Sequence, residues 1–278
     1  MADNTGNRLQ ESLDRALAEC ERLKKENEYF RQKLGAASEL NNHNGFKSVL
    51  VADSKISSEI TLLSSDQKIS LFRSLFRGRD DVYAVRWQNK KGKSGYSPAC
   101  GNEWAHGICE KPRVKCSECP NQKFLPITDK IIQDHLTGRK TIGVYPLLTD
   151  ETCWFLAVDF DKENWLEDAK TFLHTCREHE IDAVLERSQS GKGGHVWIFF
   201  ENPISASLAR KLGSFLLTKA MERRHQMGLQ SYDRLFPNQD TMPKGGFGNL
   251  IALPLQREPR SHGNSAFIDE NGILHSDQ

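Results

Sequence analysis

Hydrophobic and polar positions change period several times along the chain, and each change marks an element. From Arg8 to Leu34, the residues Leu9, Leu13, Ala16, Cys20, Leu23, Asn27, Phe30 and Leu34 recur in steps of four and three, with charged residues between them. That is a heptad seam, and Asn27 at an inner position is the residue type that fixes register in a two-stranded coiled coil. The pattern predicts a coiled-coil helix over 1–35 that makes a homodimer through residues 8–34. A single amphipathic helix packed on its own domain fits the same spacing. Gly35 and the polar stretch Ser38–Gly45 open a linker over 36–63. A folded domain follows over 64–278. Ser64-Ser65-Asp66 caps a helix running to about Phe76, Val82–Trp87 reads as a strand, Gln88–Ser94 as a basic loop, Asp129–Leu136 as a helix and Ile142–Leu147 as a strand.

The next stretch organises the rest. Trp154–Val158 is a short apolar run, the mark of a buried strand, and it ends in Asp159-Phe160-Asp161. Alternate strand residues share a face, so the two carboxylates project together while Phe160 turns back to the core. Like charges that close favour a hard divalent cation between them. Asn164–Glu180 then shows helical spacing at Trp165, Ala169, Phe172, Leu173 and Cys176, and Asp182–Arg187 is a second strand. The loop Ser188–Gly194 carries three glycines with Ser190 and Lys192, and its backbone N–H groups can approach phosphates closely. His195–Phe200 is a third strand, Ser205–Met227 a long helix, and Leu229–Leu235 a strand-like run carrying Asp233. A Pro/Gly-rich loop, Phe236–Gly248, precedes an apolar strand, Asn249–Leu255, and the tail Phe267–Leu274 reads as a hairpin. The class is α+β. From Trp154 the order is β-α-β-β-α-β, a ferredoxin-like unit also used by RNA-recognition folds, inside a core of about 142–256.

Composition narrows the chemistry. The chain has 278 residues and a net charge of +1, so global charge selects no partner, although Arg73, Arg77, Arg79, Arg86, Lys90, Lys91 and Lys93 cluster locally. No apolar run approaches the ~20 residues that span a bilayer, and no signal peptide opens the chain, so a soluble, cytoplasmic protein with no membrane partner is expected. In that compartment Cys100, Cys109, Cys116 and Cys119, ending in a Cys-x-x-Cys knuckle, predict a structural Zn²⁺ within an insertion over 96–124. His106 is an alternative fourth ligand. Cys20, Cys153 and Cys176 read as small buried hydrophobes.

The paired acids Asp159 and Asp161, then Ser190-Gly191-Lys192-Gly193-Gly194-His195, then Asp233, resemble in order the three motifs of the archaeo-eukaryotic primase superfamily. The similarity is closer to the primase-polymerase domains of TOTE conflict systems and their CRISPR-associated relatives. It extends to Leu71–Arg79, to Asn102-Glu103-Trp104 inside the cysteine cluster, and to Phe236–Asp240 followed by Gly246–Pro254. The resemblance implies an archaeo-eukaryotic primase fold and template-directed nucleotidyl transfer with two Mg²⁺ or Mn²⁺ ions. It implies single-stranded DNA or RNA as template, an NTP or dNTP as substrate, and a helicase or nuclease on the same or a neighbouring chain. In this reading Asp159, Asp161 and Asp233 hold the ions, while Ser190, Gly191, Lys192 and His195 hold the nucleotide. Asp240 competes with Asp233 for the third carboxylate. A two-metal nuclease or phosphodiesterase, and a non-catalytic zinc-bearing nucleic-acid adaptor, are the rival classes.

Overall fold

The computed structural model describes residues 63–223 and 230–278. The heptad, with the dimer and linker expected there, lies outside the described residues.

The domain opens with α1 (Ser65–Leu75). Ser64 caps it in a reciprocal box, its hydroxyl accepting from the Gln67 N–H while the Gln67 side chain accepts from the Ser64 N–H. A hairpin, β1 (Ala84–Gln88) and β2 (Ser94–Pro98), follows. Its second strand was not expected, because Ser-Gly-Tyr-Ser-Pro has no apolar alternation. A cysteine-bearing insertion then leads to α2 (Asp129–Leu136) and β3 (Ile142–Val144). The unit β4 (Thr152–Asp161), α3 (Trp165–Glu178), β5 (Val184–Arg187), β6 (Gly193–Ser205), α4 (Ala206–Arg223) and β7 (Tyr232–Phe236) is the expected β-α-β-β-α-β. The chain closes with β8 (Ile251–Ala252), α5 (Arg257–Ser261) and β9 (Ala266–Ile268).

Two antiparallel sheets result. The five-stranded one has the order β7-β4-β6-β5-β9, which is the ferredoxin-like arrangement with one strand added at its edge. The added strand is the first arm of the tail hairpin, which pairs with β5. The four-stranded sheet has the order β2-β1-β3-β8. The run Asn249–Leu255 therefore contributes only its middle, and to this second sheet.

Alternation along β4 serves two cores. Leu156, Val158 and Phe160 face α3 and α4, together with Phe172, Cys176, Leu216 and Ala220. Phe155 and Ala157 face the other way, into a cluster that joins Ile142, Val144 and Ile251 of the second sheet to α1 and α2. Phe155 is fully buried at that joint, and its truncation to Ala would cost about 3–5 kcal/mol. One residue breaks the pattern. A register shift between Cys153 and Phe155 leaves Trp154 unpaired, and its ring lies under the Arg77 guanidinium, 4.1 Å from the centroid. Cys153 and Cys176 are buried as expected, and burial pushes both thiols up to about 12. Among the described residues no helix is long and apolar enough to cross a membrane.

Candidate active site

Asp159 and Asp161 share the face of β4 that carries Phe155 and Ala157, so they stand at the strand's end in the crevice toward the second sheet. The third carboxylate arrives by a less regular route. β7 pairs with β4 as Asp159↔Arg234 and Phe160↔Tyr232, which makes Asp233 the extra residue of a β-bulge. An unbroken ladder would set Asp233 opposite Phe160, on the helix-covered face. The bulge brings it to the other side, where one oxygen from each of Asp159, Asp161 and Asp233 lies within 4.8 Å of the others.

Buried contacts hold the bulge in register. The Asp161 N–H donates to Ser231 O (2.7 Å), and both the Ser231 N–H (3.2 Å) and its hydroxyl (2.6 Å) donate to Asp168 Oδ2 on α3. Asp168 and Ser231 are both buried. Arg234 Nε donates to Asp233 (2.6 Å). Asp240, the competing candidate, lies elsewhere and is ion-paired to Arg210 of α4.

Electrostatically the triad is strained without a cation. Burial, reinforced by the charges of Asp161 and Asp233, pushes the Asp159 carboxyl up to about 6 even though His195 and Arg234 pull it down. Such a carboxylate gains most when a hard cation replaces its lost water, so the donor set fits a divalent metal. Across β4, His195 pairs with Asp159 and its Nε2 lies 3.7 Å from Asp159 Oδ1. Its Nδ1 donates to Glu186 Oε2 (2.9 Å), which also accepts from Trp197 Nε1 (3.0 Å). Burial opposes charge on the imidazole, but Glu186, Asp159 and Asp161 together outweigh it and raise its pKa. With the Nδ1–H held by Glu186, Nε2 faces the crevice, and it is a donor there only in the doubly protonated ring that the three carboxylates favour.

The glycine loop is shorter than expected. Gly193 and Gly194 belong to β6, opposite Asp161 and Phe160. A Cβ on Gly193 would meet Asp161 Oδ1 at 2.4 Å, and one on Gly194 would meet the Trp165 ring at 2.4 Å. These glycines allow close approach to the carboxylate and to α3, and the turn itself spans Ser188–Lys192. Gly191 supplies its left-handed residue (φ 73°), and the Ser190 hydroxyl accepts from the Lys192 N–H at 3.2 Å. Asp159, Asp161, Ser188, Gln189, Ser190 and His195 line a cleft of about 440 Å³. Gly191 and Lys192 shape the turn without forming its wall. The wall also contains Arg86, Glu186 and Gln256, which sequence reasoning did not assign to the site. A charged residue inside each of two otherwise apolar strands was the available signal for Arg86 and Glu186; Gln256 had none.

A larger cleft, about 770 Å³, lies at the opposite end of β4 around Arg73, Arg77 and Arg79. Arg73 and Arg79 are committed to Asp129 and Asp81, and Asp80 and Asp150 also line the wall, so it offers no net anion site.

The four cysteines surround a small cavity of about 20 Å³. Among the described residues, only the Asp triad brings three or more potential ligand atoms within 4.8 Å of one another, so the sulfurs are gathered around a common centre without closing on it. The Lys123 N–H donates to Cys100 Sγ at 3.4 Å, and the Lys111 ammonium interacts with both Glu103 and Cys116, contacts suited to thiolates. His106 does not line this cavity.

A ferredoxin-like sheet with paired acids ending its first strand and a bulged acid on its last defines a class of site in which three carboxylates meet at the strand ends and could hold a cation. The particular family follows from the whole sequence. The family model described as the TOTE conflict system, Archaeo-Eukaryotic Primase domain, matches residues 67–278, and the chain belongs to that family. Among solved structures, the chain is similar to the "Polymerase Domain from Mycobacterium tuberculosis Ligase D in complex with DNA", at 12% identity and a TM-score of 0.42, over 81% of this chain and 88% of that one. No curated protein matches.

Proposed function

We propose that this domain is a template-directed nucleotidyltransferase, a primase-polymerase that makes or extends primers on single-stranded DNA or RNA within a conflict or defence system. One observation carries the reading: three carboxylates from two strands converge beside an imidazole whose Nε2 faces the same cleft. Asp159, Asp161 and Asp233 would hold two Mg²⁺ or Mn²⁺ ions. Ions held there would supply charge neutralisation on a transferring phosphoryl group and lower the pKa of an attacking hydroxyl. His195, its ring fixed by Glu186, would donate from Nε2 to the incoming triphosphate in its doubly protonated form. The Ser190 hydroxyl and the N–H groups of Gln189 and Ser190 would offer further donors, the other N–H groups of the turn being bonded within it, and Lys192 and Arg86 would supply positive charge.

The cysteines would hold a structural Zn²⁺, supported by the shared cavity and the N–H···S contact at Cys100. Residues 8–34 would pair two copies, and light scattering with and without the segment before Gly35 tests that: the full chain should be a dimer and the truncated one a monomer.

The deciding experiment incubates the protein with a template, labelled NTPs or dNTPs, and Mn²⁺. Extension that disappears in Asp159→Ala supports the reading. Degradation of the template would favour a two-metal nuclease, and neither product would favour a binding adaptor.

A further inference from the structure

The β1–β2 hairpin carries a charge pattern that the cleft does not use. From Val82 to Asn102 there is no acidic residue, while Arg86, Lys90, Lys91 and Lys93 are all present. Among the described residues, none of these four side chains has an ion-pair or hydrogen-bond partner. Lysines 90, 91 and 93 are exposed on a well-built tip. Asn89 Oδ1 accepts from the N–H groups of Lys91 and Lys93, each at 3.0 Å, and Gly92 takes the left-handed position (φ 80°). The tip thus holds three cations on an ordered backbone at no cost in neutralising contacts.

An aromatic plane lies beside them. Trp87 is 41% exposed and sits opposite Gly95 on β2. Its indole covers that glycine so closely that an added Cβ would meet Cζ2 at 2.8 Å. The backbone holds one side of the ring while much of it stays open to solvent. On the other flank the ladder continues past β3, since the Arg86 N–H donates to Thr141 O (2.8 Å), which brings exposed Lys140 next to Trp87. Arg86, the residue before Trp87, faces the opposite side of the sheet and lines the cleft of Asp159, Asp161 and His195. The hairpin therefore runs outward directly from the candidate active site.

From this geometry we infer that the β1–β2 hairpin is a grip for single-stranded nucleic acid, with a base stacked on Trp87 and phosphates on Lys90, Lys91, Lys93 and Lys140. A run of unpaired cations fits a polyanion, and an immobilised exposed indole fits an unstacked base, whatever its identity. This surface rests on the reading of the domain as a template-using enzyme and adds where the strand is held outside the cleft. The competing explanation is that the lysines merely protect β2, an edge strand, from pairing with other chains.

The test measures anisotropy of a labelled oligodeoxynucleotide across a salt series, for the wild-type chain, the Lys90→Ala/Lys91→Ala/Lys93→Ala variant, Trp87→Ala and Trp87→Phe. Removing three phosphate contacts should lower the salt slope by about 2 and the affinity by about a hundredfold at 0.1 M salt. Trp87→Ala should lose roughly fivefold to a hundredfold with little change in slope, and Trp87→Phe should recover most of it. Binding of a labelled NTP with Mn²⁺ should be unchanged in all variants, because none touches the cleft. Wild-type affinity and slope in the lysine variant, with or without new self-association, would overturn the grip. So would a wild-type chain that binds NTP but no oligonucleotide. Oligonucleotide binding that depends on the hairpin in a protein with no extension activity would retain the grip and sink the polymerase reading instead.

Discussion

The bulge that aims Asp233 depends on a residue far from it in sequence, and this can be tested by removing one oxygen. Ser231→Ala deletes the hydroxyl that donates to Asp168 Oδ2 at 2.6 Å but leaves the Ser231 N–H on the same acceptor. The lost bond is buried and charge-assisted, so the expected cost is about 1.5–3 kcal/mol. For a domain of this size, that lowers the melting temperature by roughly 3–12 °C. The effect on the site should be larger than the effect on the fold. Ser231 O accepts the Asp161 N–H, and Asp233 is the residue that the ladder skips, so loosening Ser231 frees one carboxylate of the triad on each strand. A displacement near 1 Å in a reacting assembly costs on the order of a hundredfold in rate.

The assay has three readouts taken well below the melting transition. Thermal unfolding reports the fold, electron paramagnetic resonance of free Mn²⁺ reports metal affinity, and primer extension reports activity. Ser231→Ala should remain folded, bind Mn²⁺ more weakly and extend slowly, with saturating Mn²⁺ restoring part of the rate. Asp168→Ala should be worse on every count, since it leaves two buried donors without an acceptor, while Asp168→Asn should lie between. A Ser231→Ala protein that loses the predicted stability yet binds Mn²⁺ and extends primers like the wild type would show that the clamp supports the fold and not the triad.

Three further outcomes follow from particular contacts. The Ile142 N–H donates to His135 Nδ1 (3.2 Å), so the proton sits on Nε2, which donates to Pro254 O (2.8 Å); burial lowers this imidazole to about 4. The unfolded chain binds the proton first, so this stability is complete above about pH 6.5 and is lost as pH falls toward 4, some 3 kcal/mol in all; urea unfolding should show the slope in wild type and a flattened one in His135→Gln. Cys116→Ser/Cys119→Ser should lose the roughly one equivalent of zinc expected per chain and melt lower, whereas full zinc and full stability would end the proposal of a cysteine site. Asp233→Ala should be folded and nearly inactive, while Asp240→Ala, which loses only an exposed ion pair with Arg210, should keep most activity and at most about 1 kcal/mol less stability.

The elements legible in the sequence were those whose residues carry their own periodicity. Asp129–Leu136 and the helix of Phe172 and Cys176 follow from apolar spacing, and the facing of Asp159 and Asp161 follows from the two-residue repeat of a strand. What escaped was set by partners distant in the chain. Strand β2 is a strand because β1 lies beside it, and the short β8 was drawn into the second sheet by β3. Gly193 and Gly194 looked like loop glycines because their reason for being glycine is an Asp161 oxygen and a Trp165 ring, neither of them local. The position of Asp233, named in the sequence from its resemblance rather than from periodicity, shows the limit most clearly. Read as a plain strand from Leu235, which pairs with Val158 on the helix-covered face, the two-residue repeat puts Asp233 on that same, wrong side of the sheet. Only the skipped residue, stabilised by Asp168 from the neighbouring helix, brings it round to Asp159 and Asp161. A carboxylate whose position depends on a break in the local repeat is invisible to any rule based on that repeat. The same break lets two strands deliver three like charges to one point, which regular pleating alone would not do here.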